Sequence, residues 1–103
     1  MRLPARLAIL PLLLLPVCAL AATVQIQIKG MNFHPDKVTV APGTTVTWTN
    51  DDAFGHTTTS DTKLWDSGVL APGKSFSHTF DKPGSFPYHC AVHTFMTGTV
   101  TVK

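Results

Sequence analysis

The chain has 103 residues, 44% hydrophobic and 14% charged, with a formal net charge of +2. That length holds one domain and excludes multidomain enzymes, repeat arrays and long coiled coils. Arg2 and Arg6 are the only arginines, and from residue 22 onward six Lys stand against six Asp. The apparent basicity therefore belongs to the N-terminus, and no nucleic-acid surface is indicated.

Residues 1–21 read as a secretory signal. Arg2 and Arg6 form a positive start, and Leu7 to Val17 is an apolar stretch of 11 residues. Crossing a bilayer as a helix takes roughly 20 residues, so no membrane span is expected. Ala19-Leu20-Ala21 is a small-x-small cleavage site. Pro11 and Pro16 argue against a buried helix, and bulky Val17 argues against lipid attachment at Cys18. Export, most simply to the periplasm, leaves residues 22–103 as the mature domain. Cys90 is then its only cysteine. A lone thiol in an oxidising compartment calls for a chemical reason, and a metal is the most direct one.

The mature segment has no Glu and no Arg, two Leu and 15 Thr, a composition that favours strands. In chain order, apolar residues alternate with polar ones at Val24, Ile26 and Ile28; Val38 and Val40; Val46 and Trp48; Phe76 and Phe80; Phe86, Tyr88 and Cys90; and Val100 and Val102. A period of two puts each set on one face of a strand. Ala41-Pro42-Gly43, Ala71-Pro72-Gly73 and Lys82-Pro83-Gly84 are turn signals between them. Six or seven short strands predict an antiparallel sandwich or barrel. Asp51, Asp52, Asp61 and Asp66 make a locally acidic stretch, read as a solvated loop in preference to a partner patch.

Chemistry concentrates in Tyr88-His89-Cys90-Ala91-Val92-His93-Thr94-Phe95-Met96. Cys-x2-His-x2-Met offers a thiolate, an imidazole and a thioether from one short loop. Soft sulfur with imidazole suits copper, and two His, one Cys and a weak axial Met form the blue-copper arrangement. The second histidine must come from elsewhere. His56 is best placed, in a loop after a strand. Strand parity turns His89 away from the Cys90 face, His34 precedes Pro35 in a connection, and His78 shares the inward parity of Phe76 and Phe80.

Val46-Thr47-Trp48-Thr49-Asn50, the loop to His56, Gly84-Ser85-Phe86-Pro87-Tyr88-His89-Cys90, His93, Met96 and Gly98-Thr99-Val100-Thr101-Val102 together resemble the cupredoxins, in particular the plastocyanin and amicyanin group. The likeness covers essentially all of residues 23–103, and the two-residue gap between His93 and Met96 is similar to amicyanin. The resemblance implies an all-β fold, a Greek-key β-sandwich with one copper ion at one end. It implies His56, Cys90, His93 and Met96 as ligands, and Asn50 as a tie at the strand end. Thr57 stands where the group usually has Asn joining the ligand loops. His78 stands where an apolar residue is usual.

The implied function is one-electron transfer, Cu(II) to Cu(I), between a protein donor and a protein acceptor in transient complexes. Docking is expected through the His93 edge, ringed by Phe54, Val92 and Phe95, on a monomer. The alternative within copper biology is delivery or tolerance, against which stands the lack of Met- or His-rich tracts. A Cys90 nucleophile is disfavoured by its inward parity, and a catalytic zinc site leaves Met96 unexplained.

Overall fold

The computed structural model describes residues 22–103, and the segment 1–21, read from the sequence as a secretory signal, lies outside the described residues. Eight strands follow in order: β1 (Thr23–Lys29), β2 (Asn32–His34), β3 (Lys37–Val40), β4 (Thr44–Asn50), β5 (Thr59–Ser60), β6 (Ser75–Phe80), β7 (Gly84–His89) and β8 (Thr97–Val102). There is no helix among the described residues, hence none long and apolar enough to cross a membrane.

The strands form two four-stranded sheets, ordered β2-β1-β4-β6 and β3-β8-β7-β5, packed as a Greek-key sandwich. Hairpin-joined neighbours are antiparallel. The chain leaves the first sheet at β3 and re-enters it at β4, so β1 and β4 are not joined by a hairpin, and they run parallel. β3 and β8, brought together from opposite ends of the chain, are parallel too. Alternation alone does not distinguish these pairings from antiparallel ones, because the side-chain period is two in both. The strand count also exceeds the sequence expectation, because β2 and β5 are too short to carry a periodic signal.

Register explains the core. Val24, Ile26 and Ile28 of β1 sit opposite Val46, Trp48 and Asn50 of β4, and Trp48 sits opposite Phe76 of β6. Ile26, Ile28, Val46, Trp48, Tyr88, Val100 and Val102 are each at most 2% exposed. Burying one such side chain contributes about 1.5–3 kcal/mol before entropy is charged against it. Trp48 anchors the middle, stacked on Trp65 at 5.7 Å and edge-on to Tyr88 at 5.3 Å. Gly98 lies opposite Tyr88 across the β7–β8 ladder, and a Cβ there would fall 2.3 Å from the phenol ring.

His78 faces inward beside Val46, half-buried on an edge strand. Its imidazole stacks on Trp65 at 5.1 Å and meets Phe80 edge-on at 4.9 Å. An aromatic ring fills the place where an apolar side chain was expected. Burial lowers the His78 pKa from its ordinary value, and the charge of Asp81 offsets part of that.

Candidate metal centre

β4 ends at Asn50, β7 ends at His89 and β8 begins at Thr97, so the loops after β4 and between β7 and β8 emerge at one end of the sandwich. They bring His56, Cys90 and His93 together, with one donor atom of each within 4.8 Å of the others. His56 Nδ1 is 3.2 Å from His93 Nδ1 and 3.9 Å from Cys90 Sγ. His56 and Cys90 are fully buried, and His93 is half-buried. Met96 is 2% exposed. Its amide donates to the His93 carbonyl at 2.9 Å, and its carbonyl accepts from the Cys90 amide at 3.0 Å. These two bonds close residues 90–96 into a compact turn.

The remaining histidines lie elsewhere. His89 points away from Cys90 and pairs with Asp61. His34 is exposed, 3.0 Å from the Lys29 carbonyl.

The first loop is held by Asn50. Its Nδ2 donates to the carbonyls of Phe54 (2.7 Å) and Leu70 (2.8 Å), and its Oδ1 accepts from the Asp52 amide (3.0 Å). His56 exchanges two backbone hydrogen bonds with Leu70, which pins the loop to the long β5–β6 connection. Thr57 ties the two ligand loops. Its amide donates to Cys90 Sγ at 3.3 Å, and its hydroxyl accepts from the Ala91 amide at 2.7 Å.

Asp51, Asp61 and Asp66 are exposed, as a solvated loop requires, and each also has a hydrogen-bond partner. Asp51 accepts from Gln27, Asp61 pairs with His89, and Asp66 accepts from Thr59 and the Gly68 amide. Asp52 Oδ2 lies 2.9 Å from His56 Nε2. The Met31 amide, more than that of Gly30, holds the Asp52 carboxyl below its usual pKa, against the opposing effect of burial. The sequence carries Asp51 and Asp52 without their partners, which come from β1 and the turn after it, more than 20 residues away.

The donors fit a cation. An ionised carboxylate only accepts, so His56 Nε2 carries the hydrogen, and in the neutral ring Nδ1 then presents a lone pair. That lone pair faces a second imidazole nitrogen and a sulfur in a buried space, an arrangement that needs a proton or a metal ion between the donors. Two imidazoles, one thiolate and a nearby thioether suit copper.

A model of the cupredoxin-like domain matches residues 7–102. The chain belongs to the cupredoxin family. Plastocyanin of Scenedesmus fuscus is 37% identical over 84 residues, spanning 69% of this chain and 86% of that protein. Amicyanin-alpha of Methylorubrum extorquens is 31% identical over 88 residues, spanning 81% of this chain and 74% of the relative. Among solved structures, a purple cupredoxin from Nitrosopumilus maritimus superposes with a TM-score of 0.73 at 34% identity, covering 78% of this chain and 99% of that one. The cofactor of this cupredoxin is one copper ion.

Around the site the surface of this cupredoxin is apolar. Phe54, Val92 and Phe95 are 63%, 52% and 70% exposed, and the Phe95 ring lies 6.3 Å from that of His93. Val69, 67% exposed, joins them beside Gly55. Sequence reasoning missed Val69, because residues 61–74 carry no regular alternation to reveal which side chains face out.

Proposed function

We propose that this cupredoxin is an exported carrier of single electrons, working as residues 22–103 after removal of the signal segment 1–21. His56, Cys90 and His93 would hold the copper ion, with the Met96 thioether as a further donor from the same turn. The observation that carries this reading is the Nδ1-to-Nδ1 approach of 3.2 Å between His56 and His93, beside the buried Cys90 sulfur. The copper ion supplies a Cu(II)/Cu(I) couple.

The chain supplies rigidity and access. Thr57 and Asn50 fasten the ligand loops to each other and to the sandwich, so the donors move little between oxidation states and the reorganisation barrier stays low. The half-buried His93 is the exit for the electron, and Phe54, Val69, Val92 and Phe95 form its dry rim. So small a patch suits transient complexes with a protein donor and a protein acceptor. Zero net charge on the mature domain leaves little long-range steering. The protein works as a monomer in the periplasm.

Full burial of His56 and Cys90 opposes copper delivery, which requires ready ligand exchange, and opposes nucleophilic catalysis, which requires substrate to reach the thiol.

The test is to load the purified mature domain with Cu(II). The expected product absorbs intensely in the visible, is bleached by reductant, and is lost in Cys90→Ser. A colourless protein overturns the assignment.

A further inference from the structure

Asp52 lies four residues before His56, in the loop between β4 and the ligand. Its Oδ1 accepts the Gly30 amide at 2.8 Å, and its Oδ2 accepts the Met31 amide at 2.9 Å. Gly30 and Met31 have φ of 60° and 59°, the left-handed pair of a tight β1–β2 hairpin turn. A left-handed methionine is uncommon, and here it presents its amide to the carboxylate together with that of its neighbour. Two donors from a different part of the chain thus fix the carboxylate plane. The remaining acceptor capacity of Oδ2 meets His56 Nε2 at 2.9 Å. The His56 ring is fully buried, so no solvent competes for Nε2.

We propose that Asp52 is the positioning residue of the metal centre: clamped by the Gly30–Met31 turn, it holds His56 as the Nε2–H tautomer and aims Nδ1 at Cys90 and His93. Carboxylates hydrogen-bonded to metal-binding imidazoles orient the ring and strengthen it as a donor. Stronger donation favours Cu(II) over Cu(I), so Asp52 holds the reduction potential down. This inference rests on the copper reading above, but its geometry is a property of the chain alone.

Asp52→Asn keeps the shape and one acceptor oxygen while removing the charge; its amino group replaces the other oxygen, so one of the two turn amides also loses its acceptor. In the metal-free protein, nitrogen NMR of His56 reads the tautomer directly. The expected result is a single Nε2–H form in the natural chain and a mixture or the Nδ1–H form in the variant. In the copper-loaded protein, a loss of about tenfold in Cu(II) preference raises the midpoint potential by about 59 mV.

A purely structural staple would lower the melting temperature and leave both tautomer and potential where they were, and that result overturns the proposal. A natural chain that never develops copper–thiolate absorption sinks the copper reading instead, and the tautomer in the metal-free protein still decides the role of Asp52. Asp52→Glu, which keeps the charge, is expected to restore the low potential at least in part. A Glu variant identical in potential to the Asn variant overturns the charge argument.

Discussion

The hydroxyl of Thr57 and the amide of Ala91, 34 residues apart in the chain, are joined by a 2.7 Å hydrogen bond across the two ligand loops. The contact continues outward. Thr57 Oγ1 lies 2.8 Å from Thr59 Oγ1, and the Thr59 hydroxyl donates to Asp66 at 3.2 Å. With the Ala91 amide donating inward, the Thr57 hydroxyl is free to donate to Thr59, so each hydroxyl both accepts and donates. Thr57 thereby bridges the two loops with a hydroxyl, at the position where the family resemblance predicts an amide side chain.

Thr57→Val keeps the shape and removes the hydroxyl. The Ala91 amide loses its acceptor, at a cost of about 1–3 kcal/mol, measured by denaturant unfolding of the metal-free protein. The copper–thiolate band is expected to shift as the Cys90 loop relaxes, while Thr57→Ser restores both values. Equal stability of the valine variant and the natural chain would show that the tie is slack.

His78 gives this cupredoxin a stability that depends on pH. Burial depresses its folded-state pKa below the unfolded value of about 6.5. A base with a depressed folded pKa contributes fully above the unfolded value, and that contribution is lost as the pH falls through the folded value. Stability is therefore expected to drop below about pH 6.5. His78→Phe keeps an aromatic ring on Trp65 and removes the titration, so the two proteins should diverge as the pH is lowered. Parallel melting curves from pH 7.5 down to 5 would count against the assignment.

Gly98 and Tyr88 form a steric pair. A Cβ at position 98 would lie 2.3 Å from both Cζ and Oη of Tyr88, far inside contact distance, and the ring is fully buried. Gly98→Ala is expected to cost about 3 kcal/mol or more. In a Tyr88→Leu background the obstructing ring is gone, and the additional cost of Gly98→Ala should fall below about 1 kcal/mol. Additive losses in the double-mutant cycle would refute the coupling.

Copper itself should stabilise the domain. A ligand present at a thousandfold over its dissociation constant adds about 4 kcal/mol when it binds only the folded state. For a domain of this size that corresponds to a melting temperature higher by roughly 15–30 °C. Removal by a chelator should reverse the gain, and His93→Ala should weaken it. Coincident melts of loaded and stripped protein would show that the donors do not act together.

Much of the fold was legible. Val24-x-Ile26-x-Ile28, Val46-x-Trp48 and Val100-x-Val102 alternate strictly because each strand buries one face and solvates the other, so period two survives in the sequence. Cys90 and His93, which the structure brings together with His56, were legible because one loop carries both at fixed spacing. His56 was legible from its place after a strand together with the family resemblance. Asp52, Val69 and the partners of Asp61 and Asp66 were not legible. Asp52 and Asp61 are paired with residues distant in the chain, the partners of Asp66 are local but lie in a loop with no regular pattern, and an aspartate in a polar loop has the same sequence context whether it faces water or a buried imidazole.

The division between sequence and tertiary structure follows from the range of the forces involved. By itself the sequence determined six of the eight strands, the all-β class and the grouping of a thiol, an imidazole and a thioether on one short loop, because backbone pleat and side-chain chemistry are written within a few residues. Only the tertiary structure decided the parallel pairings of β1 with β4 and β3 with β8, the seat of His78 on Trp65, and the clamp from Gly30 and Met31 through Asp52 to His56. Each of these is a contact between segments whose separation in sequence says nothing about their separation in space.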